Sequence, residues 1–233
     1  MPNILITGGS NGIGEGLVKA YLKKGYYVYN LDRKEPRFED EHLVHISYDL
    51  RDSSGLENLW TSLPHIDILI CNAAMFKEES FLEGDYKTLI DVVQVNLLSH
   101  IKLSQDYARQ FHGNHGRIVF LSSTRSFMSE KNTVGYSVSK GGINALTHSL
   151  AITLEDKQIT VNAIAPGWIH TSEEELREVD HAFHPSRRVG QVEDIVRTCV
   201  FLTDEEADFI NGEVLKVDGG VTKKMIYPED TDA

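Results

Sequence analysis

The sequence predicts a single α/β domain, built as a doubly wound parallel sheet with helices on both faces. Short apolar runs of strand length, such as NILIT and IDILIC, alternate with longer helical patterns along the chain. That alternation is typical of parallel strands joined by crossover helices. With 233 residues, 41% of them hydrophobic and 25% charged, the chain is long enough to bury one large core.

Seven segments have the composition of strands, and helical patterns separate most of them. The predicted strands are residues 3–7, 26–31, 43–48, 66–71, 117–122, 160–165 and 213–217. The predicted helices are residues 13–24, 53–63, 85–111 with a possible break near its start, 133–155 and 193–202. Residues 33–42 are polar and predict an exposed connection with at most one helical turn. The acidic residues 173–180 predict a short mobile helix, and residues 223–233 a frayed C-terminal tail.

Charge and cysteine content exclude several classes of function. A net charge of −12 argues against a nucleic-acid or anionic-membrane partner, since binding phosphate backbones requires clustered cations. Cys71 and Cys199 each lie inside an apolar run and are expected to be buried thiols. No signal peptide or run of 18 apolar residues is present, so we expect a soluble cytoplasmic protein. No metal site is expected, because the paired histidines lack a nearby carboxylate or cysteine set.

The first connection between a strand and a helix is rich in glycine. It reads Thr7-Gly8-Gly9-Ser10-Asn11-Gly12-Ile13-Gly14. Glycines here allow a tight turn and let the backbone approach a pyrophosphate, which the amides of the helix N-terminus then bind. The position of the loop, directly after the first strand, predicts dinucleotide binding.

Asp32 follows the second strand, 18 residues after Gly14. A carboxylate there can accept hydrogen bonds from the ribose hydroxyls of NAD, and it would repel the extra phosphate of NADP. Arg33 comes next and leaves NADP open, because a guanidinium can bind that phosphate or stack on adenine. The sequence therefore favours NAD, with NADP as the alternative.

The candidate chemistry lies in residues 118–140. A buried strand leads to Ser123, and Tyr136 and Lys140 lie four residues apart on the following predicted helix, so their side chains share one face. A free tyrosine has a pKa of about 10, and a desolvated ammonium beside it favours the ionised form. We therefore predict that Tyr136 exchanges protons with a substrate near neutral pH.

Six motifs together resemble the short-chain dehydrogenase/reductase family. They are TGGSNGIG at 7–14, CNAA at 71–74, VNLL at 95–98, Ser123, YSVSK at 136–140 and PGWIHT at 166–171. The resemblance spans nearly the whole chain and includes VDGG at 217–220. It implies a Rossmann-like sheet of about seven strands in the order 3-2-1-4-5-6-7. It also implies a nicotinamide cofactor and a homotetramer, or possibly a dimer.

The resemblance also implies roles for individual positions. Tyr136 matches the family's acid/base, and Lys140 matches the residue that lowers its pKa and contacts the nicotinamide ribose. Ser123 matches the hydroxyl that orients the substrate, with Ser122 as the rival candidate. Asn96 matches an asparagine that holds a water between the lysine and solvent. Further cofactor contacts are expected at Asp49, Leu50, Asn72, Ala73, Ala74, Pro166, Gly167, Ile169 and Thr171.

Two departures and one open question concern the substrate end. Ala74 stands where the family usually has glycine, so the backbone conformation expected near the cofactor does not carry over directly to this position. The segment expected to cover the substrate, residues 172–187, is short. The expected substrate is a small alcohol or ketone. Arg125 suggests a carboxylate on it, but a salt bridge with Glu130 or a solvated side chain explains Arg125 equally well.

Two other functions compete with an alcohol/ketone oxidoreductase. A non-catalytic nucleotide-binding redox sensor would be expected to lack one of Ser123, Tyr136 and Lys140, and all three are present. A sugar-nucleotide epimerase would need a larger C-terminal substrate domain, whereas the last predicted strand ends only 16 residues before the C-terminus.

Overall fold

A parallel sheet forms the centre of the fold. The computed structural model describes residues 1–225, so residues 226–233 of the predicted tail lie outside the described residues. The strands of this part of the chain are Asn3–Thr7 (β1), Tyr27–Asp32 (β2), Leu43–Ser47 (β3), Ile68–Cys71 (β4), Gly116–Leu121 (β5), Ile159–Pro166 (β6), Ile169–His170 (β7), Gly190–Gln191 (β8) and Val214–Val217 (β9). Seven of them form one sheet in the order β3-β2-β1-β4-β5-β6-β9, with every pair parallel. The predicted fold class and strand order are confirmed.

Helices cover both faces of this sheet. Their bounds are Gly12–Lys23 (α1), Leu56–Ser62 (α2), Tyr86–Val93 (α3), Ser99–Gln110 (α4), Val134–Thr153 (α5), Glu178–Ala182 (α6) and Val192–Leu202 (α7). One core joins α2, α4 and α5 to the sheet, and a second core joins α1 and α7 to the opposite face.

The first strand shows why the sheet has two cores. Ile4 and Ile6 point to the core shared with α1 and α7, whereas Leu5 points to the core shared with α2, α4 and α5, and all three are fully buried. Successive side chains of a strand point to opposite faces, so a strand covered on both sides must be apolar throughout.

The long helical pattern at 85–111 differs from the prediction in where it is interrupted. The predicted break near its start is wrong: α3 runs regularly from Tyr86 to Val93. A π-helical segment, Gln94–Leu98, follows it and leads into α4. Such wide turns often occur at functional sites, and this one contains Asn96.

Residues 33–42 form a mostly exposed connection without a helical turn, which agrees with the prediction of at most one. The predicted helix at 173–180 is wrong in position, since α6 begins only at Glu178. The parallel pair β7 and β8 was not predicted, because strands of two residues are too short to give a periodic signal. Lys223, which was predicted to lie in the frayed tail, instead ends a 3-10 turn that begins at Val221.

Two further properties can be stated for residues 1–225. No helix in this range has the length and apolar character needed to cross a membrane. No group of three or more His, Cys, Asp or Glu side chains there is placed to hold a metal ion. Cys71 and Cys199 are buried thiols, as predicted, and burial raises the pKa of the Cys199 thiol to about 12.

Candidate active site

A cleft of about 540 Å³ follows the carboxyl ends of the central strands. It contains most of the residues predicted to bind a dinucleotide. Those lining it are Gly8, Asn11, Gly12, Ile13, Gly14, Asp32, Arg33, Asp49, Leu50, Asn72, Ala73, Ala74 and Thr171. Residues far apart in the sequence therefore meet at one edge of the sheet, where open α/β sheets bind their ligands.

The glycine loop has the shape needed to hold a pyrophosphate. Gly8 and Gly12 have φ values of +70° and +52°, a conformation that L side chains rarely adopt. A Cβ on Gly14 would lie 1.9 Å from the carbonyl oxygen of Gly8, so the loop closes this tightly only around glycine. Asn11 is the N-cap of α1, and its side chain makes no capping hydrogen bond within the described residues. The first amides of α1 are thus available to an anion.

A buried network on β2 supports this loop from below. Asn30 is fully buried, accepts a hydrogen bond from the Gly9 amide at 2.9 Å and donates one to Ser10 Oγ at 2.9 Å. Asp32 accepts hydrogen bonds from the backbone amides of Ser10 and Lys34, at 3.1 and 3.0 Å. The carboxylate is therefore held in a fixed position on the lining of the cleft.

The far end of the cleft carries an ion pair that the sequence analysis did not anticipate. Arg51 donates from Nε to both Asp49 oxygens, at 3.1 and 3.0 Å, and from Nη2 at 2.5 Å. These hydrogen bonds lower the pKa of Asp49 to about 2, so the carboxylate remains ionised in this geometry. With Arg33 nearby, this end of the cleft contains cations as well as carboxylates.

Thr7 and Asn72 join the ends of β1 and β4. Thr7 Oγ1 accepts hydrogen bonds from the amides of Asn72 and Ala73, at 3.0 and 2.9 Å. Asn72 in turn donates to the carbonyls of Thr7 and Gly8, at 3.1 and 2.9 Å. The glycine loop is thereby fixed against the loop that follows β4.

The three predicted catalytic side chains come together beside this cleft. Ser123 follows β5 in extended conformation, and its hydroxyl lies close enough to the phenol of Tyr136, in the first turn of α5, to lower the pKa of that phenol. Lys140 is buried one turn later, with Nζ 5.6 Å from the centre of the Tyr136 ring. The rival Ser122 is buried and donates to Asn144 Oδ1 at 2.6 Å, so its hydroxyl is engaged inside the protein.

The electrostatics differ from the prediction for Tyr136. Burial raises its pKa, and the Ser123 hydrogen bond and the Arg125 charge only partly oppose this effect. The expected lowering by Lys140 is wrong for this structure, in which Lys140 does not contribute to the Tyr136 pKa and its ammonium donates to the Leu121 carbonyl at 2.6 Å. Burial also lowers the pKa of Lys140, to about 8, so the side chain is still mainly protonated at neutral pH.

Known proteins share this arrangement over nearly the full chain. A family model described as enoyl-(acyl carrier protein) reductase matches residues 8–222. An uncharacterized oxidoreductase of Thermotoga maritima is 36% identical, with 97% of each chain covered. The 2-dehydro-3-deoxy-D-gluconate 5-dehydrogenase of Escherichia coli is 30% identical, with 93% of each chain covered.

A solved short-chain dehydrogenase from Leptospira borgpetersenii with bound NAD+ superimposes with a TM-score of 0.89 at 28% identity, covering 95% of this chain and 92% of the other. The chain belongs to the short-chain dehydrogenase/reductase family. It is therefore a member of a family of oxidoreductases. The non-catalytic alternative gains no support from these relatives, whose names are those of dehydrogenases and oxidoreductases.

Ala74, the departure from the short-chain dehydrogenase/reductase pattern, is accommodated without closing the cleft. It is exposed and lines the cleft, and the Met75 amide after it donates to Asn96 Oδ1 at 2.7 Å. Asn96 Nδ2 donates to the Met75 carbonyl and to Ser139 Oγ, at 3.0 and 3.1 Å. The fully buried Asn96 therefore ties the loop after β4 to α5, and its role toward a water stays a prediction.

Besides Tyr136 and Lys140, which lie beside the cleft, four predicted cofactor residues do not line it. Ser10 is 97% buried and donates to the Lys34 carbonyl at 2.5 Å, so its side chain supports the loop from inside. Pro166 ends β6, and Ile169 lies in the short strand β7. The Gly167 amide donates to the Val217 carbonyl at 3.0 Å. These three position the segment that brings Thr171 to the cleft.

The structure adds site residues that the sequence analysis did not select. Asn30 had a weak signal, as the one polar residue in the run YYVYNL, and Arg51 had none. Phe76 lines the cleft and packs edge-on against Tyr136, with ring centres 5.2 Å apart. His100 is fully buried one turn after Asn96, and burial lowers its pKa to about 3, so this imidazole is neutral.

Proposed function

We propose that this member of the family interconverts a secondary alcohol and a ketone by hydride transfer, with a nicotinamide dinucleotide held in the cleft. One observation carries the proposal: Ser123, Tyr136 and Lys140 converge beside a cleft whose glycine loop can admit a pyrophosphate. The substrate would be a small molecule at the end of the cleft near Phe76.

The cofactor fits the residues that are present. The unpaired amides at the start of α1 and the left-handed glycines would hold the pyrophosphate, and Asp32 would accept the adenine-side ribose hydroxyls. When bound, the reduced nicotinamide supplies the hydride that adds to the carbonyl carbon.

The protein's own side chains handle the charge and the proton. Hydroxyl groups of Ser123 and Tyr136 would hold the carbonyl oxygen and stabilise the negative charge that develops on it. The C=O electron pair moves to that oxygen, which takes the phenolic proton of Tyr136. Lys140, one helical turn after Tyr136, would contact the nicotinamide ribose, and oxidation of the alcohol reverses each step.

Tyr136→Phe tests the proposal most directly. The variant should bind NADH as the wild-type protein does but lose at least about 100-fold in kcat, because general acid–base catalysis contributes at least that much. Turnover is measured by nicotinamide absorbance on a panel of ketones and alcohols, and NADH binding by fluorescence titration. Tyr86→Phe, at an exposed tyrosine, is the matched control. Near-normal turnover by Tyr136→Phe would refute the assigned role.

The cofactor is proposed to be NAD rather than NADP. Asp32, held by two backbone amides, supports NAD. Removing the carboxylate with Asp32→Ala should lower the ratio of kcat/KM for NAD to that for NADP, by on the order of 10-fold to 100-fold. A wild-type preference for NADP would contradict the assignment. Arg33 and Arg51 would then be the candidates for binding the extra phosphate of NADP.

A further inference from the structure

Arg125 lies at the substrate end of the site. It comes two residues after Ser123, and its backbone amide donates to Ser123 Oγ at 3.2 Å. Its guanidinium carbon lies 4.8 Å from the centre of the Phe76 ring, and that ring lies 5.2 Å from the Tyr136 ring. The guanidinium is close enough that its charge lowers the Tyr136 pKa. A cation is thus fixed beside the proposed reacting atoms.

Only part of this guanidinium is satisfied. Nη2 forms an ion pair with the Glu130 carboxylate, as one of the sequence alternatives predicted. Nη1 is buried, and no hydrogen-bond partner for it lies within residues 1–225. An arginine presents its donors as a fork that matches a carboxylate, and an unpaired buried donor is unfavourable. The site therefore has donor capacity for an anion beyond the contact that Glu130 makes.

Glu130 is placed so that another carboxylate can replace it. Its side chain is 71% exposed, whereas that of Arg125 is only 26% exposed. Exposed ion pairs contribute at most about 1 kcal/mol, so moving Glu130 into water costs little. The cation stays in place through its contact with Phe76, while its partner can leave.

We propose that Arg125 binds the carboxylate of the substrate and that Glu130 occupies the same donors when no substrate is bound. The inference rests on the proposed function and narrows its substrate class to short oxo acids and the corresponding hydroxy acids. The oxo group would lie at Ser123 and Tyr136, with the carboxylate at Arg125. Glu130 acts as an internal competitor that keeps the guanidinium paired between turnovers.

Malonate binding tests the subsite without requiring turnover. Isothermal titration calorimetry is carried out with and without saturating NADH on the wild-type protein and on charge-neutralised variants. Glu130→Gln should bind malonate about 5-fold more tightly than the wild-type protein, because the competitor is gone. Arg125→Gln should bind it at least about 10-fold more weakly. Glu78→Gln and Lys131→Gln, which change the same charges at exposed neighbouring positions, are the matched controls.

Equal affinity of Glu130→Gln and Glu78→Gln would overturn the inference, and so would equal affinity of Arg125→Gln and Lys131→Gln. Should Arg125→Gln fail to fold, Arg125→Lys retains the charge but removes the fork, and it should still weaken binding. The exposed Glu130 variant keeps the proposal testable in any case.

A matched pair of substrates separates this inference from the proposed function. For 4-oxopentanoate and its methyl ester, the ratio of kcat/KM (acid to ester) should fall at least about 10-fold in Arg125→Gln and rise in Glu130→Gln. Equal losses on acid and ester would give Arg125 a structural role only. Absence of NADH-dependent reduction across the whole ketone panel would instead refute the proposed function, while malonate binding still decides whether the anion subsite exists.

Discussion

Lys140 is buried at a cost to the stability of the fold. Its ammonium lies in the interior with the Leu121 carbonyl as its hydrogen-bond acceptor, and burial lowers its pKa from 10.5 to about 8. A shift of that size corresponds to about 3 kcal/mol of unfavourable free energy while the group is charged. A purely structural residue at this position would be apolar, so the retained charge points to a function.

Lys140→Met should therefore stabilise the cofactor-free protein. At pH 7 we expect a free energy of unfolding about 2 kcal/mol above that of the wild-type protein, once the lost hydrogen bond to Leu121 is allowed for. The folded pKa lies below the unfolded one, so wild-type stability rises with pH between about 8 and 10.5, and the advantage of the variant shrinks over that range. Urea unfolding at pH 7 and pH 9.5 measures both values.

The same unfolding curves on Lys23→Met provide the control, because Lys23 is exposed. That variant should differ little from the wild-type protein at either pH. A Lys140→Met protein that is less stable than the wild-type protein at pH 7 would show that the ammonium is a net stabiliser.

Individual residues were predictable where spacing alone places them. Tyr136 and Lys140 are four residues apart on a helix, so the sequence places them on one face. Asn30 and Arg51 act through partners far away in the chain or on an irregular loop, and no periodicity reports such contacts. The raised pKa of Tyr136 was also unpredictable, since burial depends on the packing of Phe76 and its neighbours.

At the scale of elements, the direction of α1 depends on its packing against α7. Gly16 is the residue that permits this contact: a Cβ there would lie 2.3 Å from Val192 Cγ1 and 3.1 Å from Val196 Cγ2. The glycines predicted to form the phosphate loop end at Gly14, and no role was predicted for Gly16. Close approach of the two helices fixes the N-terminus of α1 toward the cleft.

Gly16→Ala should separate these helices. Overpacking is expected to cost about 1–3 kcal/mol in the free energy of unfolding, despite the better helix propensity of alanine. Val192→Ala should remove the clash, so the double variant should be more stable than the sum of the two single effects predicts. Urea unfolding of all four proteins gives the coupling. Strict additivity would mean that Gly16 is not packed against Val192.

The presence of each strand and helix was easier to predict than the irregularities within and between them. Apolar runs bounded by polar residues gave all the strands of the main sheet, to within two residues at each end. The π-helical segment Gln94–Leu98 keeps helical periodicity on both sides, so the sequence pattern does not show it. The pair β7 and β8 depends on two residues each, which is below the length at which alternation can be read.

At the scale of the whole molecule, the strand order of the sheet could be predicted from the way helices connect successive parallel strands. Parallel strands joined by helices can be arranged in few ways, and the confirmed order places the glycine loop, Asn72 and Ser123 at adjacent strand ends. The strand order does not explain, by contrast, why several large apolar side chains are exposed on the surface of the monomer.

Part of that exposed apolar surface lies on α4, the preceding π-helical segment and α5. Leu98 is 47% exposed and Ile101 39%, and on α5 Val134 is 41% and Val138 59% exposed. These four residues are named the α4–α5 patch. The π-helical segment and α5 pack closely, since a Cβ on Gly142 would lie 2.5 Å from the Leu97 side chain. Exposed apolar side chains on neighbouring helices supply the kind of surface that an interface between subunits buries.

We propose that the α4–α5 patch joins copies of this chain into a homo-oligomer, in line with the tetramer or dimer that the family resemblance implies. Val138→Glu should place a charge in the interface and shift the sedimentation coefficient to that of a smaller particle at micromolar concentration. Val44→Glu, at an exposed valine on the edge strand β3, should leave it unchanged. Tyr136 lies beside the cleft against Phe76, and Lys140 is buried, so a dissociated protein should still bind NADH. A wild-type chain that already sediments as a monomer would exclude the oligomer.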